Sequence, residues 1–142
     1  IIRMFPSDAN PAGNVFGGAI LKHIDMVAGI VAQRYSQTNA VTVSMDKISF
    51  LKPVFVGNVL FVNARVNYVQ KSSMEIEVNV EAEDIAKGTR VHTGNAYVTV
   101  VALDDNGKPT PVPTLHIDNS EDQKRFDEGK FRMERRLKQR EN

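Results

Sequence analysis

The sequence predicts an α+β fold in which an antiparallel sheet wraps around one long central helix, with an extra helix at the C-terminal end. Apolar residues recur at helical spacing from residue 16 to about residue 36. Four strand-like segments follow, at residues 39–50, 59–69, 74–82 and 90–103. Two of them alternate apolar and polar residues along their whole length, which is typical of antiparallel strands with one wet face. Wrapping the sheet around the helix buries both apolar surfaces at once.

The sequence also predicts the edge strand, the connections and a bulge. Residues 1–5 are predicted to form a short edge strand, and residues 6–14 a loop rich in Ser, Asp, Asn, Pro and Gly. The apolar pattern of the strand at 39–50 shifts phase near Asp46 and Lys47, which predicts a β-bulge. Residues 70–73 are short enough to form a tight hairpin between two strands.

Each alternating strand is predicted to have an apolar and a polar face. In the strand at 59–69 the apolar face carries Leu60, Val62, Ala64, Val66 and Tyr68. In the strand at 74–82 it carries Met74, Ile76, Val78, Val80 and Ala82. We expect both apolar faces to pack against the long helix.

Composition limits the classes of function. A length of 142 residues fits one domain with a sizeable core. The net charge of +1 argues against a nucleic-acid partner, and no apolar run has transmembrane length, so we expect no membrane partner. With no cysteine, disulfides, thiolate nucleophiles and cysteine-ligated metals are excluded. The three histidines show no metal-ligand spacing, so no metal site is predicted. The absence of cysteine is compatible with a reducing compartment, and we expect a cytoplasmic protein.

Residues 1–118 are predicted to form the main domain and residues 119–142 a charged C-terminal helix or tail. From residue 124 onward the tail holds eight basic and four acidic side chains, which is typical of a solvated surface helix. Phe126, Met133 and Leu137 lie on one side of this helix, in position to dock on the body or on a neighbouring subunit.

Asp25 is the residue of the long helix that least fits its surroundings. It shares one helical row with Leu21, Ala28 and Ala32. A carboxylate in such a row must be paired, hydrogen-bonded or used chemically, because burying a bare charge is costly. The alternatives are a general base or nucleophile and a structural ion pair with Lys22.

The same helix begins with Gly17 and Gly18. Free backbone N–H groups at a helix start can receive a developing negative charge, and glycine lets a substrate approach the backbone closely. The alternative is that the glycines only allow tight packing of the loop. An oxyanion site with a carboxylate about two turns away on one helix is a plausible core for acyl transfer.

A longer motif joins these residues. Asp8, Asn10, Gly13, Phe16, Gly17, Gly18, Leu21 and Asp25 fill every fixed position of the pattern D-x-N-x-x-G-x-x-F-G-G-x-x-L-x-x-x-D. The chain thereby resembles the hotdog-fold acyl-CoA thioesterases, in particular the short bacterial hydrolases and the duplicated domains of animal cytosolic enzymes. The similarity extends over about residues 4–113.

The resemblance implies a hotdog fold, acyl-CoA as substrate, and no required cofactor beyond the coenzyme A that the substrate carries. It also implies a homodimer with a continuous sheet and shared active sites, assembled as a trimer of dimers.

The resemblance adds Asn10 and Thr42 to the candidate catalytic residues Asp25, Gly17 and Gly18. The amide of Asn10 is suited to orienting water or the thioester, although an asparagine before a proline is also a common turn residue. Thr42 is placed to reach a neighbouring subunit's site, and an ordinary strand threonine is the alternative.

Coenzyme A requires cations and donors for its phosphates. Lys71, Ser72 and Ser73 in the predicted hairpin are candidates, with Arg65 and Arg90 as further ones. The alternative for any single cation is a solvated surface charge.

Two other functions remain as alternatives. A hotdog enoyl-CoA hydratase has a histidine where this chain has Gly13, which disfavours that reaction. A non-catalytic domain that binds or senses acyl-CoA would lack the helix carboxylate or carry a DNA-binding extension, and Asp25 disfavours it.

Overall fold

The computed structural model describes residues 1–141, so Asn142, the last residue of the predicted tail, lies outside the described residues. The elements, in chain order, are β1 (Ile2–Arg3), α1 (Gly17–Ser36), β2 (Asn39–Phe50), β3 (Val59–Gln70), β4 (Ser73–Asp84), β5 (Thr89–Leu103) and α2 (Ser120–Glu141). A single 3-10 turn, Pro6–Asp8, lies in the loop before α1. The predicted elements are therefore confirmed, with bounds that differ by only a few residues.

The five strands form one antiparallel sheet in the order β1-β3-β4-β5-β2. Helix α1 packs on its inner face, where Ile24, Ala28 and Ala32 are almost fully buried. The sheet side of this core comes from Met74, Ile76, Val78 and Val80 in β4 and from Ala96, Val98 and Val100 in β5. A sheet wrapped around one helix is the hotdog arrangement, as predicted.

Strand β2 forms one edge of the sheet and contains two irregularities. The predicted one lies between Asp46 and Ser49, where Lys47 has a φ of 51°. An unpredicted bulge at Val43 shifts the register against β5. Because of that bulge, Ala40 and Met45 both pack against the core, whereas Val43 is half exposed.

Strand β3 corrects one prediction about its faces. The register against β4 shifts between Val66 and Tyr68, so the strict alternation ends at Asn67. Beyond this bulge Val69 packs against the core, and Tyr68 lies on the outer face against Phe126 of α2, with ring centroids 4.8 Å apart. Placing Tyr68 on the inner face was therefore wrong.

Helix α2 packs across the outer face of the sheet, with Met133 buried. Its strongest polar contact is a bidentate ion pair in which Arg132 donates to both carboxylate oxygens of Glu75, at 2.7 and 3.0 Å. The guanidinium also lies 3.7 Å from the ring centroid of Tyr97. Burial lowers the pKa of Arg132, but the hydrogen bonds and charge of Glu75 outweigh it and raise the pKa above its ordinary value.

A glycine makes this close packing of α2 feasible. A Cβ atom at Gly129 would lie 2.8 Å from Cβ of Tyr68 and 3.0 Å from a carboxylate oxygen of Glu75. Any larger residue would therefore push the helix away from the sheet. Neither α1 nor α2, as described, combines the length and hydropathy needed to cross a bilayer.

Candidate functional site

The site is centred on a hydrogen bond between helix α1 and the edge strand β2. The hydroxyl of Thr42 donates to Oδ1 of Asp25 over 2.7 Å. Thr42 pairs with Val100 of β5, a core residue, so Thr42 is on the inner face of β2, beside the helix. Residues 17 apart in the chain are thus brought into direct contact by the packing of the sheet on the helix.

Asp25 lies at the margin of the core. It is half-buried, whereas Ala28 and Ala32, in the same helical row, are fully buried. Among the ion pairs of the described residues, none joins Asp25 to Lys22, so the structural alternative for this aspartate has no support. The second oxygen, Oδ2, makes no hydrogen bond within the described part of the chain, so it is available to a water molecule.

The start of α1 lies among aromatic side chains. The amide N–H groups of Gly17 and Gly18 have no helical acceptor, because they open the first turn. A Cβ at Gly18 would lie 2.9 Å from the ring of Phe16, and the position of a Cβ at Gly17 is 3.5 Å from the ring of Phe50. Phe16 and Phe50 are both about half exposed, so apolar surface borders these free N–H groups.

The helix start and Asp25 are too far apart to act on one carbonyl within a single chain. Gly18 and Gly17 precede Asp25 by seven and eight residues, which is about 11–12 Å along a helix that rises about 1.5 Å per residue. A donor to the carbonyl oxygen must lie about 3 Å from it, and a base must reach the attacking water. Within one chain these groups therefore form two separate clusters, the half at the helix start and the half at Asp25 and Thr42.

Asn10 belongs to the half at the helix start. Its Oδ1 accepts hydrogen bonds from the backbone N–H groups of Ala12 and Asn14, at 3.0 and 3.2 Å, as a turn asparagine does. The loop is joined to the helix start because the N–H of Phe16 donates to the carbonyl of Asp8. The amide nitrogen of Asn10 forms no hydrogen bond within residues 1–141, so this donor remains available.

Lys71, Ser72 and Ser73 occupy the predicted hairpin between β3 and β4. Lys71 has a φ of 51°, as this two-residue turn requires. Strand β5 and the segment after it hold the hairpin, because the N–H of Ala102 in β5 donates to the carbonyl of Ser72 and the N–H of Val112 beyond it donates to the carbonyl of Lys71. The three residues line an open cleft of about 750 Å³ whose other wall is α2.

Arg65 and Arg90 lie elsewhere. Arg65 is six residues before Lys71 on β3, about 20 Å along the strand. Arg90 pairs with Glu81 at 2.8 Å and lies over the ring of Phe61. Arg90 lies opposite Glu83 of β4, and Glu83 is ten residues from Ser73 along that strand. Arg90 is thus roughly 33 Å from the hairpin. The structure therefore groups the hairpin residues but not these two arginines.

Comparison with known proteins relates this arrangement to a family. The profile of the thioesterase superfamily matches residues 12–89, which include the start of α1, Asp25, Thr42 and the hairpin but not Asn10. The cytosolic acyl coenzyme A thioester hydrolase of Rattus norvegicus is 42% identical over 129 residues, which are 89% of this chain and 34% of the relative. This chain therefore spans about a third of the length of that relative.

A bacterial relative has a more similar length. An uncharacterized acyl-CoA thioester hydrolase of Bacillus subtilis is 39% identical over 120 residues, covering 84% of this chain and 70% of the relative.

Two solved structures are similar over nearly the whole chain. An acyl-CoA hydrolase from Staphylococcus aureus, in complex with butyryl coenzyme A, coenzyme A and coenzyme A disulfide, has a TM-score of 0.89 and 35% identity. The matched region covers 98% of this chain and 85% of the Staphylococcus aureus chain. A hexameric acyl-CoA thioesterase has a TM-score of 0.92 and 32% identity, covering 97% and 88%.

Variants of the Staphylococcus aureus enzyme have also been solved, each with one asparagine, aspartate or threonine replaced by alanine. The profile match over more than half of the residues, the identity to full-length bacterial relatives and the shared fold lead to one conclusion. This chain belongs to the thioesterase superfamily.

Proposed function

We propose that the protein hydrolyses acyl-CoA thioesters to a free fatty acid and coenzyme A, with Asp25 as the essential carboxylate. The observation that carries this proposal is the contact between Asp25 and Thr42, which holds a half-buried carboxylate in one orientation and leaves its second oxygen available. The names of the Rattus norvegicus and Bacillus subtilis relatives support the same reaction.

The chemistry follows from the groups present. The carboxylate of Asp25 takes a proton from water as the water oxygen attacks the thioester carbonyl carbon. The N–H groups of Gly17 and Gly18 hold the oxygen, which becomes negative as the tetrahedral intermediate forms. The carbon–sulfur bond then breaks and coenzyme A leaves as a thiolate. Asp25 can instead attack the carbon itself, so that coenzyme A leaves as a thiolate and a mixed anhydride forms, which water then hydrolyses to the fatty acid and free Asp25. Both routes require the carboxylate of Asp25.

The separation of the two half-sites favours a site shared by two copies. We infer that the start of α1 and Asn10 from one protomer act on the same thioester as Asp25 and Thr42 of the partner protomer. About 11–12 Å of helix separates these groups in one chain, and an antiparallel approach of two α1 helices would bring unlike halves together. The isologous contact of a two-fold dimer produces two such sites.

The exposed edge of the sheet supports the same assembly. Strand β2 pairs with β5 on one side only, and on its other side it meets none of the described strands. Twelve residues is long for an unprotected edge, which is prone to pair with another chain. Pairing of two β2 edges would form one continuous sheet and cover Val43 and Ile48, which are exposed in one chain. The hexameric relative supports further assembly as a trimer of dimers.

The spacing of three residues also supports this site. In the Staphylococcus aureus variants the replaced asparagine precedes the replaced aspartate by 15 residues, and the threonine follows it by 17. Asn10, Asp25 and Thr42 have the same spacing in this chain. The three candidates thus correspond to the three positions that were chosen for substitution in that enzyme.

The hairpin residues Lys71, Ser72 and Ser73 are proposed to hold coenzyme A, and no separate cofactor is required because acid–base chemistry suffices. The name of the Rattus norvegicus relative favours activity in the cytosol. A domain that binds acyl-CoA without turnover is the second candidate, and it would release no thiol.

We expect Asp25→Asn to lower kcat for thiol release from acyl-CoA by at least about 100-fold, since a general base contributes about 10²–10⁴-fold. The amide cannot accept the proton from water but keeps the size of the side chain. The matched control is Asp127→Asn, which alters an exposed carboxylate on α2. Near-normal turnover by Asp25→Asn, with the fold intact by circular dichroism, would exclude the proposed role.

Substitution of Asn10 separates its turn role from its donor role. Asn10→Asp and Asn10→Ser both keep a side-chain oxygen for the N–H groups of Ala12 and Asn14 but lack the amide donor. We expect both variants to melt close to the wild-type temperature and to lose roughly tenfold or more in kcat, because a hydrogen bond to a reacting group is lost. Full activity in both would leave Asn10 as a turn residue only.

Charges on the outer side of α1 test the shared site. Met26 and Ile30 are each about half exposed and lie one turn apart. We expect the double variant Met26→Glu/Ile30→Glu to form a smaller species than wild type in analytical ultracentrifugation and to lose thiol release, since two copies would bury these charges. Ile85→Glu, in the exposed turn between β4 and β5, is the control. A fully active wild-type monomer would contradict the shared site.

A further inference from the structure

The cleft between α2 and the β3–β4 hairpin has an excess of positive charge. Its wall from α2 includes Arg136 and Arg140, and its wall from the hairpin includes Lys71. One carboxylate, Asp46 of β2, also lines it, and within the described residues Asp46 forms no ion pair with these cations. Three cations facing one acid leave the cleft suited to an anion.

Arg136 is the residue that most needs an anion. Its Nε is buried and has no hydrogen-bond partner among the side chains of residues 1–140 or the backbone of residues 1–141. Its Nη2 donates only to the sulfur of Met133, at 3.2 Å, and a thioether is a weak acceptor. Arg136 as a whole is half-buried, but a buried N–H group without an acceptor is costly, and a ligand that supplies an acceptor removes the cost.

Arg132, one turn earlier on α2, is an arginine whose hydrogen bonds are satisfied where α2 packs on the sheet. It is held by the bidentate contact with Glu75. None of the ion pairs among the described residues joins a carboxylate to Arg136, although both arginines project from the same side of the helix. The planar fork of Arg136 therefore remains free for a planar or tetrahedral oxyanion, and phosphate fits it well.

The hairpin offers neutral donors to the same cleft. The hydroxyls of Ser72 and Ser73 form no hydrogen bond within the described residues. A phosphate between the helix and the hairpin would thus meet charged donors on both sides and hydroxyl donors on one. Such charge-assisted contacts are stronger than neutral ones.

The cleft also lies within reach of the reacting group. Ser73 is opposite Val101 of β5, and Val101 is opposite Val41 of β2, next to Thr42. Two strand spacings separate Ser73 from Val41, or about 10 Å. A thioester at Asp25 with its carrier extending over the end of the strands would bring the phosphates of the carrier to this cleft.

We propose that Arg136, with Arg140 and Lys71, binds phosphate groups of the coenzyme A part of the substrate, so that α2 is a part of the substrate site. This inference rests on the proposed function. It extends the site from the hairpin to a helix that the sequence pattern marks only as charged. A free nucleotide that binds as a regulator would offer this cleft the same phosphate groups. The test below distinguishes such a regulator from the coenzyme A of the substrate.

The test compares Arg136→Gln with wild type on two thioesters of the same acyl group, one on coenzyme A and one on N-acetylcysteamine, which carries no phosphate. We expect KM for the acyl-CoA to rise about tenfold or more with kcat unchanged, as expected for the loss of a charge-assisted hydrogen bond. Kinetics on the N-acetylcysteamine thioester should not change. Lys138→Gln, which removes the same charge from an exposed position of α2, should alter neither substrate.

Calorimetric titration with coenzyme A alone gives a readout that does not depend on turnover. Weaker binding to Arg136→Gln than to wild type supports the inference even if the Asp25 experiment rejects hydrolysis. Equal KM effects on both thioesters, or no effect on either, would overturn it. An Arg136→Gln variant with unchanged KM for acyl-CoA that is no longer inhibited by added 3′,5′-ADP would also overturn it. The cleft would then bind the phosphate of a regulatory nucleotide and not that of the substrate.

Discussion

The proposed chemistry depends on the hydrogen bond by which Thr42 of the edge strand holds Asp25 of the central helix. It fixes the side chain of a carboxylate that lies at the margin of an apolar core. The contact follows from the register of β2, in which Thr42 pairs with the core residue Val100 just before the bulge at Val43. The register of the edge strand therefore determines the orientation of the group on which the proposed chemistry depends.

Under the proposed shared site, the geometry of one chain explains why a second copy is required. The free N–H groups at the start of α1 and the carboxylate of Asp25 lie about two turns apart on a rigid helix. A helix cannot bend to bring them together, but a second helix running in the opposite direction can supply the missing half. Among the described strands β2 pairs on one side only, and α1 carries the exposed apolar residues Met26 and Ile30, so the proposed assembly would cover both features.

Much of this was predictable from local patterns. Period-two alternation gave the strands and helical spacing gave α1, because both reflect burial on one side of a regular element. Asp25 was detectable because a carboxylate among apolar residues conflicts with burial. The bulges at Val43 and Asn67 were not predictable from the sequence pattern. Because of the bulge at Asn67, the prediction placed Tyr68 on the wrong face of the sheet. The pairing of Arg132 with Glu75, residues 57 apart, follows only from packing, although a glycine at 129 in a charged helix was a signal of close approach.

The most direct test of the account replaces the hydroxyl that holds the carboxylate and measures thiol release from acyl-CoA. Thr42→Ser keeps the hydroxyl, whereas Thr42→Val keeps the shape and loses it. We expect Thr42→Ser to retain most of the wild-type kcat and Thr42→Val to lose about tenfold or more, since a hydrogen bond to a charged group contributes roughly 1.5–3 kcal/mol. A Thr42→Val enzyme as fast as wild type would contradict the account.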